Sequence, residues 1–131
     1  MKVKLQCGKE PKIVREVFSM SCVLRVSGPN LGVCLASASI KPFRMESDAA
    51  HFMVSQCDFD DFPGQMQDAL AFLSTHTGDI ALLMQPSGSI ATLDFAIEAR
   101  GEGFQFLAFP AALVQRAGAM GIGLEISLYP A

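Results

Sequence analysis

Two histidines, four cysteines and thirteen carboxylates are what this chain offers for acid–base, nucleophilic or metal chemistry. Its densest acidic cluster is Asp58, Asp60 and Asp61. Three carboxylates so close together supply enough hard oxygen to hold a cation such as Mg²⁺ or Ca²⁺. The calcium-loop pattern does not follow, because Phe59 and Phe62 interrupt it and no Glu stands at the twelfth position. The same residues suit a strand-to-helix junction, one aspartate capping the helix and its neighbours facing the helix dipole. That reading is the simpler one. Asp58, Asp60, Asp61 and His51 are nevertheless the candidate ligand-binding residues.

A Cys–His nucleophile is excluded where the two residues come nearest in sequence. His51 and Cys57 fall on one face of the same expected strand, and at ~3.3 Å per residue they stand about 20 Å apart. His76 reads as a helix C-cap, where a cation is favoured. The run Gly118-Ala-Met-Gly121-Ile-Gly123 invites a phosphate-loop reading. Such a loop follows a strand and opens a helix, whereas this run closes a helix and leads into a strand. Ser27, Ser87 and Ser89 lack the Gly-x-Ser-x-Gly elbow. No catalytic residue, metal site or cofactor is assigned, and the balance leans against an enzyme.

The cysteines (Cys7, Cys22, Cys34, Cys57) show no paired spacing, and none follows residue 57. A disulfide framework would staple the whole of a small chain, so free buried thiols are the expectation. No two cysteines have the short spacing of a zinc loop.

Positioning these residues are elements legible from periodicity. Met1 to Cys7 alternates apolar and polar and reads as a half-buried strand, followed by a loop over 8–12. A second strand runs from about Ser19 to Ser27 and ends in Ser-Gly-Pro-Asn, strong turn chemistry. Leu31, Cys34, Leu35 and Ala38 follow helical spacing until Pro42 stops the pattern. Ala50 to Cys57 is a third strand with Phe52 and Val54 toward the core. A helix capped by Asp60 or Asp61 comes next, with Pro63 in its first turn and Phe62, Met66, Leu70 and Leu73 as its buried stripe. His76 and Gly78 mark its end.

Three strands are then expected at Asp79–Met84, Ile90–Ala99 and Phe104–Phe109, forming a short-turned antiparallel meander. Pro110 opens a last helix to about Ala119 with Leu113, Val114 and Ala117 as its apolar side. Leu124–Tyr129 closes the chain as a strand. The expected fold is a single α+β domain over 1–131, a mostly antiparallel sheet of six to seven strands with two to three helices packed on one face.

At 131 residues, half of them hydrophobic and 18% charged, the chain has the size and composition of one folded domain and is not a disordered polymer. No apolar run reaches the ~18 residues that span a bilayer and the start does not resemble a signal peptide, so a cytoplasmic location and no membrane are expected. The net charge of −3 conceals a split. Residues 1–44 carry eight basic groups against two acidic, and residues 45–131 carry eleven acidic against two basic. The basic half lacks exposed-looking aromatics for base stacking, so mutual neutralisation within or between chains is preferred over nucleic-acid binding.

Leu24-Arg-Val-Ser-Gly-Pro-Asn-Leu31 through Ile40-Lys-Pro-Phe-Arg44, and Ala117-Gly-Ala-Met-Gly-Ile-Gly-Leu-Glu-Ile-Ser-Leu-Tyr129, together resemble the opening and closing segments of a small bacterial family designated only as a domain of unknown function. The resemblance covers about a quarter of the chain. It implies an α+β cytoplasmic bacterial protein and brings no active site. The functional expectation is a non-catalytic module that binds another protein or a second copy of itself, of the kind that serves as an immunity or accessory protein. The alternative is a small-molecule- or metal-binding domain, or an enzyme, with its pocket between sheet and helices.

Overall fold

In a computed structural model the chain is described over residues 20–130, together with the backbone of two short strands near its start. Those strands, β1 (Lys2–Lys4) and β2 (Lys12–Val14), form an antiparallel ladder of their own. Residues 5–11, with the end of the expected Met1–Cys7 strand and most of the loop expected over 8–12, lie outside the described residues, while Lys12, expected in that loop, opens β2.

A five-stranded mixed sheet carries the domain. β3 (Cys22–Ser27) sits at its centre, antiparallel to both β5 (Ala49–Ser55) and β6 (Ile90–Glu98). The two-residue β4 (Arg44–Met45) lies outside β5, and β7 (Ile122–Tyr129) runs parallel to β6, giving the order β4-β5-β3-β6-β7. The register sets Phe52, Leu24, Leu93 and Leu124 side by side across four strands. Because side chains alternate along a strand, their row is apolar throughout and the row of their neighbours is polar. Leu24 and Leu93 are fully buried, and Phe52 nearly so.

Four helices pack around that apolar core: α1 (Leu31–Ser37), α2 (Phe62–Thr75), α3 (Thr77–Leu83) and α4 (Ala111–Ala119). Phe62 of α2 meets Phe95 edge-on at 5.7 Å, and Phe109, leading into α4, completes the cluster at 5.4 and 5.3 Å from the two. Each such pair contributes about 0.5–1.5 kcal/mol beyond its buried area.

The α+β class holds, and three of the four pairings in the sheet are antiparallel. But the sheet has five strands where six to seven were expected, β6 and β7 pair in parallel, and four helices stand where two to three were expected. Asp79–Met84 is helical, not a strand. Ile80 and Leu83, one turn apart, are both buried, and the Asp79 carboxylate accepts from the Ser39 and Ile40 amides at 3.1 and 3.2 Å. An apolar run this short carries no period of its own, and these contacts decide it. Phe104–Phe109 makes no ladder, since β6 already has β3 on one side and β7 on the other. The chain instead crosses through α4 and returns parallel, the connection that parallel pairing requires.

Smaller corrections have equally local causes. The seam of α2 is Phe62, Gln65, Ala69 and Leu73, with Met66 and Leu70 only partly buried. His76 ends α2 as expected, yet Gly78 lies inside α3, not in a left-handed cap. Val114 is 47% exposed, not part of the buried side of α4. After α4, Gly121 takes φ +76°, which supplies the tight turn into β7.

Candidate functional site

The sequence candidates occupy two places in the fold. His51 lies within β5 on the polar face, opposite Arg25 on one side and Arg44 on the other. Its Nε2 is 3.0 Å from Glu46 Oε1 and its ring 6.2 Å from that of Phe43. The bond to His51, reinforced by the nearby Arg44 charge, holds the Glu46 carboxyl below its ordinary range.

The aspartates sit at the entry to α2. Asp61 caps that helix, its Oδ1 accepting from the Gly64 amide at 3.1 Å. The Asp58 carbonyl accepts from the Asp61 amide and from Gln65 Nε2, and Asp60 is exposed. His51 and the aspartates therefore form no common site. Among the described residues no group of three or more His, Cys, Asp or Glu is arranged to hold a metal.

Two internal polar clusters escape a simple reading of the sequence. On the polar sheet face, Arg25 spans β6 with its guanidinium, 3.0 Å from Asp94 Oδ2 and 2.5 Å from Glu125 Oε1, while Ser127 donates to Asp94 Oδ1 at 2.7 Å. One basic group of the first half is thereby paired with two acidic groups of the second, within one chain. These bonds tie β3, β6 and β7 together on the polar face.

Behind β5, the buried Ser55 hydroxyl donates to Asp68 Oδ2 at 2.7 Å and accepts from the Cys57 amide at 3.2 Å. Burial pushes the Asp68 carboxyl up. Burial also raises the Cys22 thiol, with Asp94 and Asp68 adding to the effect. A fully buried, protonated thiol is no nucleophile. Cys22 and Cys34 are free and buried as expected, whereas Cys57 is disulfide-bonded, a correction to the reading of four free thiols.

Two surface features remain. At the β5 edge, where β4 stops, a groove of about 550 Å³ is lined by Met20, Ile40, Phe43, Phe52, Met53 and Phe72, with Lys41 and Gln56 at its sides. Gln56 Nε2 is buried there without a hydrogen-bond partner.

At the opposite edge β7 offers eight residues that pair on one side only, among the described residues. Apolar side chains are exposed around its far end, Leu128 and Tyr129 on opposite faces of the sheet, with the Tyr129 ring 5.2 Å from that of Phe59. Leu128 and Tyr129 are 59% and 47% exposed, and Phe104 and Phe106 are 84% and 70% exposed with rings 6.4 Å apart. The Arg100 guanidinium donates to the Phe104 carbonyl, Gln105 donates to the Glu98 carbonyl at 3.2 Å, and Ala99 donates to the Tyr129 carbonyl at 2.7 Å. The two phenylalanines are thus held outward beside the strand ends. The sequence predicts a strand over Phe104–Phe109, and the structure places these two side chains in a loop.

Comparison with protein-family models, with curated proteins and with solved structures finds no match.

Proposed function

We propose that this chain is a non-catalytic protein-interaction module that takes its partner by strand addition at β7. The observation carrying this reading is the unguarded edge. Natural sheets blunt long edges with lysine, proline, bulges or very short strands. The β4 edge follows that rule, being two residues long, with Arg44 in it and Pro42 just before it. β7 is eight residues long and carries no lysine, proline or bulge within it, a proline standing only after its last residue at Pro130, and its single charge, Glu125, is already held by Arg25. Backbone N–H and C=O groups along such an edge give affinity, and the alternating side chains give specificity. The exposed Leu128, and Phe104 and Phe106 in the loop after β6, add apolar surface of the kind that marks a contact site.

Selection of extended peptides from a displayed library, with the full chain as target at low concentration, tests this reading. Bound peptides should shift β7 amide resonances first, and Leu128→Lys should weaken them about tenfold or more, because it places a charge on the edge. Peptides that perturb the β5 groove instead, or no selected peptide at all, would remove the strand-addition reading.

The β5 groove favours a second reading, binding of a small apolar molecule that carries a hydrogen-bond acceptor. Its support is the apolar lining together with the unpartnered Gln56 amide. A fragment screen by thermal shift discriminates: hits abolished by Met53→Asp and untouched by Leu128→Lys would favour it.

A further inference from the structure

We infer that the strand added to β7 is the β7 of a second copy, antiparallel and centred on Ile126. This rests on the strand-addition reading above and specifies its partner.

The argument begins with parity. In a two-fold antiparallel pair, residues directly opposite must point to the same face, so their numbers sum to an even value. For a strand spanning Ile122–Tyr129, two symmetric registers keep seven residues paired, one centred on residue 125 and the other on residue 126. The first sets Glu125 against Glu125 of the second copy, and like charges directly opposite are destabilising. The second sets Ile126 against itself, Glu125 against Ser127, Leu124 against Leu128, and Gly123 against Tyr129.

Each of those pairs improves on the isolated chain. Leu128, 59% exposed, gains an apolar neighbour in the half-buried Leu124. Gly123, which has no side chain to pack, faces an aromatic ring, the arrangement that compensates a strand glycine. Glu125 keeps its bond to Arg25 and gains a hydroxyl in place of a second carboxylate. The register follows from four residue identities and admits no slip by one.

An independent observation lies on α4. At 3.6 residues per turn, the side of α4 that shares a crevice with α2 carries Ala112, Gln115, Arg116 and Ala119. Val114 therefore lies on the other side, toward the free edge, and is 47% exposed. A two-fold through Ile126 places α4 and its copy on the same face of a continuous ten-stranded sheet, each turning Val114 toward the two-fold. An isologous interface requires such self-complementarity.

The test uses the full chain. Light scattering across concentration should show a dimer, and Leu128→Lys should shift it to monomer. Under mild oxidation Ile126→Cys should link to itself, since directly opposed strand residues have Cα separations of about 4.5–5.5 Å, within disulfide reach. A mixture of Leu124→Cys and Leu128→Cys should link across copies, while Leu128→Cys alone should not. Peptide mapping identifies the bond among the natural cysteines, and circular dichroism checks that each variant is folded.

A chain that stays monomeric at high concentration, or a dimer that survives Leu128→Lys, would overturn the inference. So would links reporting a centre at residue 125. Monomer together with peptides selected at β7 would remove only the second copy, whereas monomer with no such peptides would remove both readings.

Discussion

Arg25 and Glu125 lie one hundred residues apart in sequence and 2.5 Å apart in space, joined across β6 on the polar face of the sheet. The same guanidinium reaches Asp94 on β6 at 3.0 Å. One cation thus sits between two carboxylates and ties the centre of the sheet to its open edge, and both carboxylates raise the Arg25 pKa further, the Glu125 bond most.

Arg25→Met keeps most of the side-chain volume and removes that cation. Asp94 and Glu125 then face each other with only Ser127 to help. The pair is partly exposed, so screening limits the loss to about 1 kcal/mol. Urea denaturation at low salt should show it, and added salt should narrow the gap between variant and wild type by damping the carboxylate repulsion.

Gln65 is a fully buried side chain on the core side of α2, where its Nε2 donates to the Asp58 carbonyl at 3.1 Å and the Ala96 carbonyl at 2.9 Å. Gln65→Leu fits the volume and removes both donors. The expected loss is about 1 kcal/mol, because the Ala96 carbonyl loses the Gln65 donor while the Asp58 carbonyl keeps the Asp61 amide. Equal unfolding midpoints for the two proteins would show that this amide has no structural part.

Asp61→Ala should cost about 1 kcal/mol by removing the α2 cap, while Asp61→Asn, which caps equally well, should cost little. Gly64→Ala belongs with it: a Cβ there would fall on Asp61 Oδ2 and 2.9 Å from Cys57 Sγ. Thermal unfolding of the three variants orders them, and a metal or ligand role for the aspartates would instead make Asp61→Asn as damaging to binding as Asp61→Ala.

The Asp68 carboxyl is raised above its ordinary 3.8, with burial the largest cause and the Asp61 charge adding to it against the Ser55 bond. The folded protein therefore holds this proton more tightly than the unfolded chain does. Its contribution to stability is greatest at low pH and is lost as pH rises from 3.8 through the folded value. Asp68→Asn keeps an acceptor for the Ser55 hydroxyl and removes the titration. The variant should be the more stable at neutral pH, with its advantage shrinking as pH falls below 4, read from urea midpoints at a series of pH values.

Much of this fold is legible in the residues, and the misreadings have physical causes. The alternation of Ile90–Glu98 and the Asp61–Pro63 start of α2 identify those elements directly, because one buried face and one cap leave unambiguous patterns. Ile80, Leu82 and Leu83 form an apolar run too short to show a period, so only Asp79 reaching the α1 exit makes it a helix. Gln65 is core, and a glutamine that satisfies backbone carbonyls is indistinguishable in sequence from one that faces water. The Asp cluster was visible and is mainly a junction. The β7 edge was invisible, because whether a strand lies inside a sheet or at its rim depends on topology and not on its own residues.

Phe104 and Phe106 bear most directly on the interaction reading. Both rings are largely exposed, so Phe104→Ser combined with Phe106→Ser removes little buried area and should leave the unfolding midpoint within about 0.5 kcal/mol of wild type. If the patch serves only to finish the loop after β6, nothing else should change. If it flanks the contact surface at β7, the double variant should bind the selected peptides more weakly with its stability intact. Binding measured by titration calorimetry beside a urea curve separates the two, because a fold defect lowers both readouts and a contact defect lowers one.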